Sequence, residues 1–172
     1  MKKKLLSLFS GCGGMDIGFE GGFSIIRDTL NTKIHKDWIA QETGKYITVE
    51  ETIFETVFAN DINKYAKIAW DNYFSWKRGK SLNGTFKVES IVDLVKRYKA
   101  GEKDIFPNNI DIVTGGFPCQ DFSVAGKRNG FNSHKDHNGK VIDHSIPTSE
   151  TRGQLYIWML SLIHISEPTR PY

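Results

Sequence analysis

The 172-residue chain has only two cysteines and five prolines, and it contains no long apolar run of the kind a membrane-spanning helix needs. Cys12 and Cys119 cannot build a disulfide framework, so a reducing cytoplasm is the expected setting. Met1-Lys2-Lys3-Lys4 could open an export signal, but the apolar stretch behind it stops at Phe9 and breaks into glycines, too short for that purpose. Excess charge of one sign is also scarce. A net charge of +3 is compatible with a nucleic-acid partner without demanding one. What remains, 39% hydrophobic and 25% charged residues, is the composition of an ordinary folded domain with one core.

Leu5-Leu6-Ser7-Leu8-Phe9 reads as a short buried strand, and Ser10-Gly11-Cys12-Gly13-Gly14 as the turn into a helix that begins near Met15. Residues 27–52 are polar with scattered apolar positions and read as an insertion with room for one helix. A second strand, Glu55-Thr56-Val57-Phe58-Ala59-Asn60, ends at Asp61, and residues 64–73 have helical spacing through Tyr65, Ile68, Ala69 and Asn72. A short third strand at residues 85–88 precedes a helix at 90–99, whose Ile91, Leu94, Val95 and Tyr98 share one face. The fourth strand is expected at 110–114. This alternation predicts an α/β fold, a doubly wound and mostly parallel sheet. Residues 120–151 have no sustained apolar period, and a connection of that length is usually functional or disordered.

Three places carry chemistry. Cys119 follows Pro118 and the Gly115-Gly116 pair at the end of the fourth strand, a turn that would hold a thiol at a defined mouth. It is the first candidate nucleophile, against the plainer reading of a lone cysteine as a small buried hydrophobe. Gly11, Gly13 and Gly14 stand where open α/β sheets let backbone amides approach a ligand. Asp61, at the second strand end, can accept hydrogen bonds from the two ribose hydroxyls of an adenosine moiety, with Ile62 placed to pack on its purine face. No metal is expected, because nothing completes a site around His134, His137 and His144.

With these pieces in order, the chain resembles the cytosine-5 DNA methyltransferases. Ser7-Leu8-Phe9-Ser10-Gly11-Cys12-Gly13-Gly14-Met15-Asp16-Ile17-Gly18-Phe19 is similar to their first motif, and Asn60-Asp61-Ile62-Asn63-Lys64-Tyr65-Ala66 to their second. Gly116-Phe117-Pro118-Cys119-Gln120-Asp121-Phe122-Ser123 matches the catalytic motif, and Arg152-Gly153-Gln154-Leu155-Tyr156 the next one. The resemblance implies a Rossmann-like fold and S-adenosyl-L-methionine as cofactor, held by Phe9, Gly11, Cys12, Gly13, Gly14, Asp61, Ile62, Ser90, Ile91 and Leu155. The third motif departs from the family pattern. Where an aspartate commonly holds the adenine amino group, the chain has Glu89-Ser90-Ile91, so the contact falls to the Ser90 hydroxyl or to Glu89.

The implied reaction is attack of Cys119 on carbon 6 of a cytosine flipped out of double-stranded DNA, which activates carbon 5 for methylation. Pro118 would orient the cysteine, Gln120 and Ser123 lie where the loop meets DNA, and Lys127 and Arg128 are candidate phosphate contacts. The resemblance also implies a restriction-modification setting and a nucleoid location through DNA, with oligomeric state left open. Two alternatives are a catalytically silent nucleotide-binding module and a methyltransferase acting on cytosine in transfer RNA. The family's later glutamate, its target-recognition domain and its closing segment have no counterpart in the chain. Residues 1–159 are therefore expected to be the N-terminal part of a catalytic domain with little activity alone and an exposed sheet edge. Residues 160–172 resemble a translated sequencing adaptor and are expected to be a non-native tail.

Overall fold

Leu5, Leu6, Ser7 and Leu8 are all buried at 1% exposure or less, and an uninterrupted buried run of this kind marks a strand covered on both faces. They form β1 (Lys3–Leu8), a central strand of the protein. In the computed structural model, residues 1–118, 131, 135–138, 140–141 and 148–166 are described. β1 pairs in parallel with β5 (Phe54–Asp61) on one side and β7 (Ile112–Gly115) on the other, while β6 (Phe86–Val88) adds to the outer edge of β5. The resulting order, β6-β5-β1-β7, is a doubly wound arrangement in which the chain leaves β1 toward both sides. Leu8 lies opposite Asn60 and Gly115, and Asp61 lies opposite Val88, so the carboxyl ends of the four strands share one edge.

Two apolar layers cover the sheet. On one face Leu6, Leu8 and Phe58 pack with Ile91, Val92, Leu94 and Val95 of α3 (Ile91–Lys99) and with Leu155 and Leu162 of α4 (Leu155–Ser166). Ala59 and Phe86 cluster instead with Ala66, Trp70 and Phe74 of α2 (Lys64–Arg78). The stripe Ala66, Trp70, Phe74 repeats every four residues, which carries this helix beyond residue 73 to a stop at Gly79 with φ +60°. Its start is capped by Asn63, whose side chain accepts from the Tyr65 amide at 2.9 Å.

The segment after α1 (Gly14–Glu20) differs from its sequence reading. In place of a helix it has two single-turn 3-10 segments and a three-stranded antiparallel sheet, β2-β4-β3, built from β2 (Ser24–Ile26), β3 (Ile39–Thr43) and β4 (Tyr46–Val49). The physical reason lies in β4, where Ile47 is buried between the half-exposed Tyr46 and Thr48, a period of two. Gly44, at φ +60°, opens the two-residue hairpin that joins β3 to β4. α4 runs on into residues 160–166, and burial of Leu162 follows from its helical spacing with Leu155, so it bears equally on a native and a foreign segment.

Candidate active site

The chain leaves β1 through Phe9 and Gly11, both at φ +52°, and Gly13 at φ +88°. A left-handed phenylalanine costs about 1–3 kcal/mol and persists only where its surroundings impose it. Those surroundings are present: the Ser10 amide donates to the Asn60 carbonyl at 2.9 Å and the Gly11 amide to Asp61 Oδ2 at 3.0 Å. The two sides of the turn differ. A Cβ built on Gly11 would meet nothing within 4 Å, whereas one on Gly13 would lie 2.7 Å from Trp70 Cδ1 and 2.8 Å from Phe74 Cε2. The turn is pressed onto α2 from below and open above. Cys12, within it, is exposed and forms no disulfide among the described residues.

At the next strand end the Asp61 carboxylate is fixed by a second backbone donor, the Asn63 amide, which reaches Oδ1 at 2.9 Å. Each carboxylate oxygen has capacity for a further donor, as a ribose diol requires. Ile62 beside it is half-exposed. Buried Asn60 donates through Nδ2 to the carbonyls of Lys87 at 3.1 Å and Glu89 at 2.7 Å, tying the end of β5 to the end of β6. Ser90 caps α3 by accepting from the Val92 amide at 3.3 Å and also makes a 2.8 Å bond with His137 Nδ1. Glu89 pairs with Arg97 at 2.7 Å, and Arg97 with Glu102, so both residues expected at the adenine amino group already have protein partners. Glu102 and then Glu89 hold the Arg97 guanidinium above its ordinary range. Ile91 sits in the core at 2% exposure.

β7 delivers Gly116, Phe117 and the half-buried Pro118 to the same edge, beside β1. Leu155, at the start of α4, is buried in the cluster that contains Leu8 and against which Phe9 packs. The structure therefore brings Phe9, Gly11, Cys12, Gly13, Gly14, Asp61 and Pro118 to one edge of the sheet, and places Ile91 and Leu155 in the core behind it. Cys119, Gln120, Ser123, Lys127 and Arg128, with His134 and His144, lie outside the described residues. Among the described residues no group of three His, Cys, Asp or Glu side chains is spaced to hold a metal, and no helix is long and apolar enough to cross a membrane.

Four residues at this edge were not singled out for it by the sequence: Asn60, Asp16, Trp70 and His137. Asp16 is fully buried beneath the glycine turn, where Trp70 Nε1 donates to its Oδ2 at 2.7 Å. Its only sequence signal is position, since Asp16 and Glu20 are four apart on a short helix and therefore share a face. The sequence marks His137 only as one of three histidines that complete no metal site, and no periodicity connects it with Ser90, 47 residues earlier.

A parallel sheet in this strand order, with a glycine turn and an acid on adjacent strand ends, defines an α/β domain of the nucleotide-cofactor-binding class. The family model for C-5 cytosine-specific DNA methylase matches residues 3–138, and the chain belongs to that family. Its sheet is accordingly that of a Rossmann-like methyltransferase fold. The chain is 31% identical over 132 residues to the Type II methyltransferase M.Bsp6I of a Bacillus strain, covering 77% of this chain and 28% of the relative. It is 33% identical over 135 residues to the Type II methyltransferase M.BsuRI of Bacillus subtilis, covering 74% and 25%. The Type II methyltransferase M.AquIA of a Picosynechococcus strain matches at 32% over 131 residues, covering 76% and 38%. The chain thus spans between a quarter and two-fifths of the length of these relatives.

Proposed function

We propose that the chain carries the cofactor site and the nucleophile of an enzyme that moves the methyl group of S-adenosylmethionine to carbon 5 of cytosine in double-stranded DNA. In this reading residues 1–159 are the N-terminal part of its catalytic domain and residues 160–172 lie outside it, and the enzyme serves a bacterial Type II restriction-modification system, acting on DNA of the nucleoid. The observation that carries the reading is the shared edge where the glycine turn, Asp61 and Pro118 stand on neighbouring parallel strands. The residues present fit the cofactor. Space is open above Gly11 and Gly14, the Asp61 carboxylate is held in place by two amides with capacity for a diol, and Ile62 offers an apolar surface beside it.

When bound, S-adenosylmethionine supplies an electrophilic methyl group on a sulfonium. Cytosine carbon 5 is a weak nucleophile by itself, and the thiolate of Cys119 corrects this by adding to carbon 6 and pushing electron density onto carbon 5. Cys119 leaves again when the carbon 5 proton is lost. The base must first be turned out of the duplex, at a cost of a few kcal/mol.

The test is mechanism-based trapping. Incubation of the whole enzyme to which residues 1–159 belong with S-adenosylmethionine and random-sequence duplex DNA containing 5-fluorocytosine should give a covalent adduct, because fluorine at carbon 5 prevents the final elimination. The adduct should vanish in Cys119→Ser. An adduct that survives that substitution removes Cys119 from the chemistry, and one formed with transfer RNA in place of the duplex moves the substrate to RNA.

A further inference from the structure

The carboxyl of Asp16 is placed against local stability. It is fully buried, and its Oδ1 accepts no hydrogen bond among the described residues. An apolar side chain of the same size would avoid the desolvation of that oxygen. Burial accordingly pushes the carboxyl above the ordinary carboxylate range, although the Ser7 hydroxyl and the Trp70 indole both favour its ionised form. What the carboxyl does hold is the indole N–H of Trp70, at 2.7 Å. That ring is also the surface on which the cofactor turn rests: the Cβ position of Gly13 is 2.7 Å from Trp70 Cδ1 and 3.1 Å from Nε1. On the other side Ser7, beside the Asp16 carboxyl, accepts from Ser10 of the turn at 2.8 Å, and the Asn60 amide approaches Ser10 Oγ at 3.4 Å.

From this juxtaposition we propose that Asp16 is a positioning residue for the methyl donor: by orienting the Trp70 indole under Gly13, it sets the height and angle of the turn at residues 10–14. The inference rests on the reading that this turn seats the cofactor. Asp16 touches no substrate in it and acts through Trp70. A polar floor suits the task because a hydrogen bond fixes the rotation of the indole, which packing alone leaves to the shape of its neighbours.

The experiment uses the full chain and three substitutions: Trp70→Phe, which keeps a ring and deletes the donor, Asp16→Leu, which deletes the acceptor, and Asp16→Asn, which keeps one. Amide hydrogen exchange at residues 10–14 is followed without ligand, and binding of S-adenosylmethionine by calorimetry. Trp70→Phe and Asp16→Leu should each speed exchange at the turn and weaken the cofactor about tenfold, the size expected for one buried hydrogen bond. Asp16→Asn should restore both to within about threefold. If Asp16→Leu does not fold, Trp70→Phe decides alone. Unchanged turn exchange in Trp70→Phe, or a loss in Asp16→Asn equal to that in Trp70→Phe, overturns the proposal. Wild-type protein that binds no S-adenosylmethionine overturns the proposed function instead, while turn exchange still reports whether Asp16 and Trp70 set the turn.

Discussion

β1 buries Leu5, Leu6, Ser7 and Leu8 in succession, while β4 of the antiparallel sheet buries Ile47 alone and β3 is exposed from Ala40 to Thr43. Both are strands of similar length, but the first is covered by helices on two faces and the second rests on one. A turn leaving a strand of the first kind starts from a backbone held on every side, so the residues on it have defined positions. A turn leaving the second can shift with little consequence. This is a physical reason for the glycine turn, Asp61 and Pro118 to stand at the ends of the parallel strands. The tryptophans of the two regions offer the largest contrast. Trp70 is fully buried and Trp38 is 48% exposed. Trp70→Ala should destabilise by about 3–5 kcal/mol in urea denaturation and Trp38→Ala by less than about 1 kcal/mol. Equal losses would erase the distinction.

The two regions meet at the end of α1, where Glu20 is 4% exposed and pairs with Lys77 at 3.5 Å and with Arg78. Its Oε1 also accepts from the Thr56 amide of β5 at 2.9 Å, and the Thr52 amide donates to its carbonyl at 3.0 Å. Lys77 and Arg78 have side chains only 9% and 12% exposed, so removing the acid leaves Lys77 without an acidic partner among the described residues and Arg78 with Glu55 alone, at 3.6 Å. Glu20→Gln is expected to cost about 3 kcal/mol and to change little in high salt, because buried pairs are poorly screened. A loss that salt abolishes would mean that the joint is open to water.

The parallel half of this comparison was legible in the sequence and the antiparallel half was not. Leucines in succession, turn glycines and an acid at a strand end are local signals, and β1, β5, β6 and β7 came out within a few residues of their expected bounds. In residues 39–49 one buried isoleucine among polar neighbours gives too little alternation to separate strand from loop. The site divides in the same way. Gly11 and Asp61 announce themselves by type and place, but the partnership of Asp16 with Trp70 spans 54 residues and becomes visible only when α2 is folded across the turn.

Ile47 tests how far the small sheet depends on a single residue. It is fully buried, and Ile47→Ala should cost about 2 kcal/mol, the lower end for such truncations because a sheet supported on one face can settle into the space. Hydrogen exchange should rise across β2, β3 and β4 and stay unchanged in β1. A rise that reaches β1 would join the two regions into one cooperative unit.

Acidity separates buried from exposed carboxyls by sign. Glu102, held down by Arg97, and Asp111, held down by Lys3 and by the Lys4 amide, favour the fold above the ordinary carboxylate range, and that contribution fades as pH falls through their lowered values. Asp16 runs the other way, since burial raises it from 3.8. Its favourable contribution is complete below that value and is lost as pH rises through the raised one. The stability of Asp16→Asn relative to wild type should therefore increase with pH over that window, and a flat difference would place the carboxyl in contact with solvent.

The smallest effect is expected at the outer pair of the antiparallel sheet, Arg27 with Glu42 at 3.5 Å, whose side chains are 50% and 46% exposed. Water competes for both groups and holding two long side chains in register opposes the attraction, so Arg27→Ala should change stability by less than about 0.5 kcal/mol. What difference there is should disappear above about 0.5 M salt, where the screening length has fallen to a few ångströms. This is the opposite of the salt response at Glu20, and the two titrations run side by side place the boundary between the buried joint and the solvated sheet. A salt-resistant loss at Arg27 would extend the buried region to the edge of β2.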